Sequence, residues 1–194
     1  MFMLSQSTID GKHPLRKLFR RALAFGLEHN PTERIEVADY LEEQILCEFI
    51  HTENLFKIKD EDEKSLEDIS DMLAEGTVLL NAQSFEREFQ VHKHIGDYTL
   101  FMLGMFPTTL SRRRGREFVL GGLVVPDGSL SEHYMIQGQR SYKIASEFTH
   151  GDLFLELSSN FLLYMNVLEF VRIYIESENN RELLKAKDII GGTD

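Results

Sequence analysis

Glu48-Phe-Ile-His51 and Glu147-Phe-Thr-His150 are both Glu-x-x-His. On one helical turn that spacing lets a carboxylate and an imidazole share a metal ion, and di-metal carboxylate bundles use two such pairs with two further Glu from other helices. Glu156 is available as a further ligand. Chance weakens the reading. With 21 Glu and 7 His in 194 residues, about one such pair arises at random. The second pair also precedes Gly151 and falls in a helix-ending turn. We therefore expect no tightly bound metal and no cofactor. A metal-dependent enzyme on a helical bundle is the last of three functional readings.

The densest polar cluster is His92-Lys-His94-Ile-Gly-Asp97, beside the apolar run 98–106. Two His at i, i+2 can share a metal on a strand, but on a helix they diverge by about 200°. His94 then shares a face with Tyr98 and Phe101, and His92 with Glu88, Gly96 and Leu103. One account is a pocket lined by His94, Asp97 and Tyr98. The other is structural: one helix ends at Gly96 and Asp97 caps the next.

Tyr134-x-x-x-Gly138-x-x-x-Tyr142 sets three residues on one helical face, with Ser141 beside them and Gln137 and Arg140 flanking. Gly inside a helix costs about 1 kcal/mol relative to Ala. It marks either a close crossing, here against the helix carrying Gly96 and Gly104, or a space left for a ligand. Glu156 and Asn160, one turn apart with Asp152 a turn before, project onto an otherwise apolar arc. An unpaired buried carboxylate costs several kcal/mol. Glu156 is thus at a wet end of the bundle, in a structural pair, or part of a site. The ligand-pocket candidates are His94, Asp97, Tyr98, Tyr134, Gly138, Tyr142, Glu156 and Asn160. Gly-x-Gly-x-x-Gly, the P-loop pattern and Gly-x-Ser-x-Gly are absent, and no Ser-His-acid or Cys-His arrangement stands out.

The elements that position these residues are helical nearly throughout. Helices are predicted over 14–27, 37–51, 65–80, 84–106, 130–148 and 152–177, with a short polar helix over 181–189. Pro14 suits a first helical position. Val37, Leu41, Ile45 and Phe49 recur at i, i+4 steps, and Ser65 to Asp68 resembles a capping box. A break at Gly96 is expected in the fourth helix. A charged loop is expected over 52–64, and a loop or small strand pair over 117–126, where Gly121-Gly122 and Pro126-Asp127-Gly128 mark turns. In the last long helix, Leu157, Phe161, Tyr164, Leu168, Val171 and Ile175 share one stripe, and Leu163, Val167, Phe170 and Tyr174 form a second. So wide an arc makes that helix central. The expected fold class is all-α: one domain over 1–194, a bundle of six or seven helices, with 1–11 and 190–194 flexible.

Composition agrees. The apolar share is 42% and the charged share 27%, ordinary for a globular chain and unlike a disordered one. The net charge of -11 disfavours broad nucleic-acid binding, which needs a basic footprint. Basic residues still cluster. Arg16, Lys17, Arg20 and Arg21 stand in the first helix and could touch an acidic partner or anionic surface; Arg112, Arg113, Arg114 and Arg116 form a second group. Cys47 is the single cysteine and reads as a small buried hydrophobe, so no internal disulfide forms. Residues 1–11 lack a signal-peptide core, and the run 98–106 is far short of the ~20 residues of a membrane span. The stretch 161–175 is interrupted by Asn166, Glu169 and Arg172. A soluble cytoplasmic protein is expected.

The run HKHIGDYTLFMLGMFP (92–107), followed by YMIQGQRSY (134–142), resembles a family of uncharacterised bacterial helical proteins. Its pattern is His-(Ile/Leu)-Gly-Asp, an aromatic, Leu-Phe, a Gly and Phe-Pro, then Tyr-x-x-x-Gly-x-x-x-Tyr. Weaker likeness surrounds 40–49. The resemblance implies a bacterial, cytoplasmic origin and brings no established activity.

Three functions follow in order: a non-enzymatic interaction module, a small-molecule site between the fourth, fifth and sixth helices, and the metal enzyme. Fourteen Phe in a small bundle, with Leu162 and Met165 outside the main arc, also point to a two-fold homodimer.

Overall fold

The computed structural model describes residues 9–32, 34–49, 51–59, 62, 65–66, 69–75, 84–107, 119–120, 123–124 and 130–191. The fold is all-α. Helix α1 (Pro14–His29) opens with proline at its first position and with His13 Nδ1 accepting the Leu15 N–H at 3.2 Å. Its buried stripe is Phe19, Ala22, Leu23 and Gly26. A Cβ on Gly26 would lie 2.6 Å from the Val167 carbonyl oxygen, so only glycine allows this crossing.

Residues 37–51 are not the single α-helix expected. Helix α2 (Ile35–Tyr40) widens into a π-helix (Leu41–Leu46), where Cys47 N–H donates to the Glu42 carbonyl. The segment is buried on nearly every face: of residues 40–49 only Glu43 is not buried, and Val37, Leu41, Ile45 and Phe49 all lie in the core.

The expected charged loop holds one helical turn, α3 (Thr52–Leu55), and a bridge between Lys59 and Ser65. Helix α4 (Ile69–Glu75) begins later than predicted, because Ser65 is taken by that bridge. The remainder of that predicted helix, Asp68 of its proposed cap, and the arginine group at 112–116 lie outside the described residues.

Helix α5 (Phe85–Met105) starts at Ser84, whose hydroxyl accepts the Arg87 N–H at 3.2 Å. It runs through Gly96 without a break, so Asp97 caps nothing. A two-residue ladder follows, β1 (Val119–Leu120) antiparallel to β2 (Leu123–Val124), inside the segment expected to be extended. Helix α6 is Leu130–Ala145.

The last predicted helix divides. Helices α7 (Gly151–Ser159) and α8 (Phe161–Gly191) meet at Asn160, whose φ of -113° and ψ of 29° leave the helical region. The separate polar helix predicted over 181–189 is instead the end of α8. Helix α5 is buried on more faces than α8: every residue from His94 to Gly104 is buried, against the π-helix, α4, α6 and α8. Helix α8 packs mainly on α1 and α5 through Phe161, Tyr164, Val167, Leu168 and Val171, and of its second predicted stripe only Val167 is fully buried. Among the described residues, no helix is long and apolar enough to cross a membrane.

Candidate functional site

Asp97 stands in the middle of α5 and is 1% exposed. Its Oδ1 accepts two phenol hydroxyls, Tyr40 at 2.6 Å from the end of α2 and Tyr142 at 2.8 Å from α6. Its Oδ2 accepts Lys93 Nζ at 2.7 Å, one turn earlier on α5. Burial first, and then the Asp97 charge, push both tyrosines well above the ordinary phenol range. Both therefore stay protonated and donate.

The rings around the carboxylate are held by packing. Phe154 of α7 meets Tyr40 edge-on at 5.7 Å and stacks on Tyr142 at 6.0 Å. Lys93 Nζ lies 5.2 Å from the centre of the Tyr40 ring. Gly96 admits Tyr142: a Cβ there would sit 2.5 Å from its ring. That close approach is why this helix keeps a glycine in its interior.

His94, fully buried, points elsewhere. Its Nε2 lies 3.2 Å from the Leu55 carbonyl, which sets the tautomer with the proton on Nε2. Tyr98 stacks on it at 6.2 Å and Phe49 meets it edge-on at 5.8 Å. Burial, then the charges of Lys57 and Lys93, hold its pKa well below the ordinary imidazole value, against the bond to Leu55. The Nδ1 lone pair has no hydrogen-bond partner. Lys57 lies at the surface, yet desolvation of its ammonium and then Lys93 lower it, with Asp97 and Glu48 acting in the opposite direction.

Tyr98 continues to Tyr134 at 6.3 Å, so His94, Tyr98 and Tyr134 form a chain of rings beside the carboxylate cluster. His92 faces α6, with Nδ1 3.3 Å from Ser141 Oγ. Burial and then Arg140 lower it to about 4.

Gly138 marks a close crossing. A Cβ there would collide with Thr99 Oγ1 of α5 and come within 2.7 Å of the Phe161 ring, so no ligand space remains. Glu156 and Asn160 lie away from Asp97. Glu156 Oε1 accepts Tyr164 OH at 2.8 Å and Asn160 Nδ2 at 2.9 Å, and Oε2 is 3.9 Å from Arg34 Nε. Tyr164, whose hydroxyl is also 3.3 Å from Thr32 Oγ1, is pushed up to about 12, chiefly by desolvation. Glu156 is thus in a structural pair, and Asn160 is exposed at the break between α7 and α8.

The eight sequence candidates therefore split. Asp97 and Tyr142 are joined directly, His94, Tyr98 and Tyr134 adjoin them, and Gly138, Glu156 and Asn160 belong to separate packing and pairing. A groove of about 340 Å³ lies between Met105, Phe106, Pro107, Arg172, Ile175 and Glu176, and none of the eight lines it.

Sequence reasoning missed Tyr40 and Lys93. The Lys93–Asp97 spacing of four is an ion-pair signal on a continuous helix, hidden by placing a break at Gly96. It also missed the buried pair between α1 and the π-helix. Arg16 donates to Glu42 at 2.7 Å and to Glu43, and Arg20 to Glu42 at 2.9 Å. Two of the four basic residues assigned to an acidic partner are thus engaged within the molecule.

Neither Glu-x-x-His pair occupies a regular helical turn. Glu48 sits in the turn after the π-helix with Oε2 accepting Asn54, His51 is exposed, and His150 is in the left-handed region at φ 50°. No group of three or more His, Cys, Asp or Glu among the described residues could hold a metal ion.

No family model, curated protein or solved structure matches this chain.

Proposed function

We propose that this chain is a non-enzymatic interaction module that acts through its surface, as a homodimer, in a bacterial cytoplasm. The carrying observation is that both oxygens of buried Asp97 are engaged within the molecule. A catalytic or binding group keeps a lone pair or proton for its substrate and faces a cavity. Asp97 spends both oxygens on Tyr40, Tyr142 and Lys93, and Glu156 spends its own on Tyr164, Asn160 and Arg34. Large apolar side chains such as Ile136, Leu155 and Leu162 meanwhile stand at the surface. The acidic-partner reading narrows to Lys17 and Arg21, both exposed on α1. The bacterial and cytoplasmic setting rests on sequence features alone.

Native mass spectrometry of protein purified without chelator tests this reading. The expected result is a species of twice the 22.5 kDa chain with no small molecule or metal. A stoichiometric ligand or metal would overturn it.

One observation favours a second reading, a small-molecule site beside His94 on α5, on the side of α3 and the turn after the π-helix rather than between α5, α6 and α7–α8. The Nδ1 of fully buried His94 has an unspent lone pair. A retained molecule that is lost in His94→Phe would establish that reading instead.

A further inference from the structure

Helix α6 turns one face to solvent. Glu132, Ile136, Gln139 and Lys143 succeed each other at steps of 4, 3 and 4, which confines them to a stripe about 60° wide. Three of the four are exposed and Gln139 is half-buried. Helix α7 runs beside it with Asp152, Leu155 and Ser159 exposed, and Leu162 follows at the start of α8.

Two contacts set the level of one row against the other. Ser158 Oγ donates to the Gln139 carbonyl at 2.8 Å, and Gly138 lies against the Phe161 ring. Leu162 therefore stands near the level of Ile136, and Leu155 near that of Lys143. These three aliphatic side chains are 53%, 49% and 48% exposed for Leu162, Ile136 and Leu155.

Charge selects the occupant. The chain carries -11, so two copies repel across most of their surfaces. This face is close to balanced, with Glu132, Glu147 and Asp152 against Arg140 and Lys143, all exposed. Within α6 itself the order is self-complementary: Glu132 in the first turn, Ile136 in the middle and Lys143 in the last turn. A two-fold axis through the middle of the stripe lays α6 antiparallel on its copy. Glu132 then meets Lys143 of the partner subunit, twice by symmetry, Ile136 meets the partner's Gln139, and Leu155 lies about one turn along from the partner's Leu162.

Resting on the homodimer reading above, we infer that this face is the dimer interface, with α6 packed antiparallel on α6 of a second copy.

The test is charge reversal with mixing, followed by light scattering and native mass spectrometry with one chain isotopically labelled. Glu132→Lys alone and Lys143→Glu alone each place like charges opposite one another at both symmetry-related contacts. Each raises the dimer dissociation constant about five-fold. Mixed together they form a heterodimer in preference to either homodimer, because every contact is again opposite in sign. Leu162→Glu raises the constant at least about tenfold. All three positions are exposed, so circular dichroism of each variant matches the parent. A parent that is monomeric at micromolar concentration overturns both this inference and the homodimer reading. A dimer indifferent to all three substitutions, or single variants that show no preference for each other, overturns the assigned face alone.

Discussion

Replacing Asp97 by Asn separates charge from shape at the best-connected polar group in the core. The amide is nearly isosteric with the carboxylate, so no cavity forms. With its oxygen on the Oδ1 side it still accepts Tyr40 and Tyr142, but its NH2 then faces Lys93 Nζ, donor against donor. Flipped, it accepts Lys93 but presents donors to two buried hydroxyls, whose protons lose their acceptor. Hydrogen bonds to charged groups contribute about 1.5–3 kcal/mol each, and stripping one partner from a buried pair costs about 3–5 kcal/mol. Lys93 keeps 12% side-chain exposure and recovers part of its hydration, which lowers the figure. The expected cost is about 2–3 kcal/mol for Asn and about 3–5 kcal/mol for Ala. For a chain of this length that is a fall in Tm of about 5–10 °C for Asn. Urea and thermal unfolding by circular dichroism measure it. In a Lys93→Met background the Asn substitution should cost about 1–2 kcal/mol less, since the pair is already gone. An Asn variant as stable as the parent, with Ala alone damaging, would refute the ion-pair account.

Two further outcomes follow from the same geometry. His92 titrates near 4 in the folded chain and near 6.5 unfolded, so between those values the unfolded state binds more protons and stability falls as pH falls. The fall amounts to about 3 kcal/mol at most, and His92→Gln should flatten that part of a stability–pH curve; an unchanged slope would show that His92 is not desolvated. Gly138→Ala should lower stability by about 1–3 kcal/mol, because the added Cβ strikes Thr99 and Phe161. Much of that loss should return in Gly138→Ala/Thr99→Ala, measured by urea unfolding, and no recovery would mean the crossing is looser than described.

The helices could be read from the sequence because their apolar spacing repeats locally. Residues 14–27 and 130–148 come within a few positions of α1 and α6, and the short extended pair within 117–126 is where its glycines indicated. The departures have local causes too. Gly96 looks like a helix end because glycine disfavours helices, and nothing near it announces that the Tyr142 ring, forty-six residues on, fills the space of its missing Cβ. Tyr40 lies 57 residues from Asp97, and no periodicity links them. Asn160 reads as one more residue of a long helix, although the chain bends there and Glu156 binds Tyr164 across the bend. Asp97 itself could be singled out by its apolar setting, but its task depends on residues from two other helices.

That dependence suggests what the buried carboxylate contributes. From residue 94 to 104 every face of α5 is buried, so apolar burial alone distinguishes poorly between rotations of the helix about its axis. Asp97 removes the ambiguity, because one rotation brings its oxygens to Tyr40, Tyr142 and Lys93, and the others strand a charge at a cost of several kcal/mol. Replacing the set together, as Asp97→Leu with Lys93→Met, Tyr40→Phe and Tyr142→Phe, leaves no orphaned group. Apolar replacement of buried ionic sets is often neutral or stabilising by about 1–4 kcal/mol. The expected variant therefore unfolds at a denaturant concentration near the parent's, but with broadened amide resonances, the mark of a core that no longer fixes one arrangement. A fourfold variant with spectra as sharp as the parent's would show that packing at Gly96, Gly104 and Gly138 already sets the rotation of α5, and that Asp97 serves only to satisfy the groups around it.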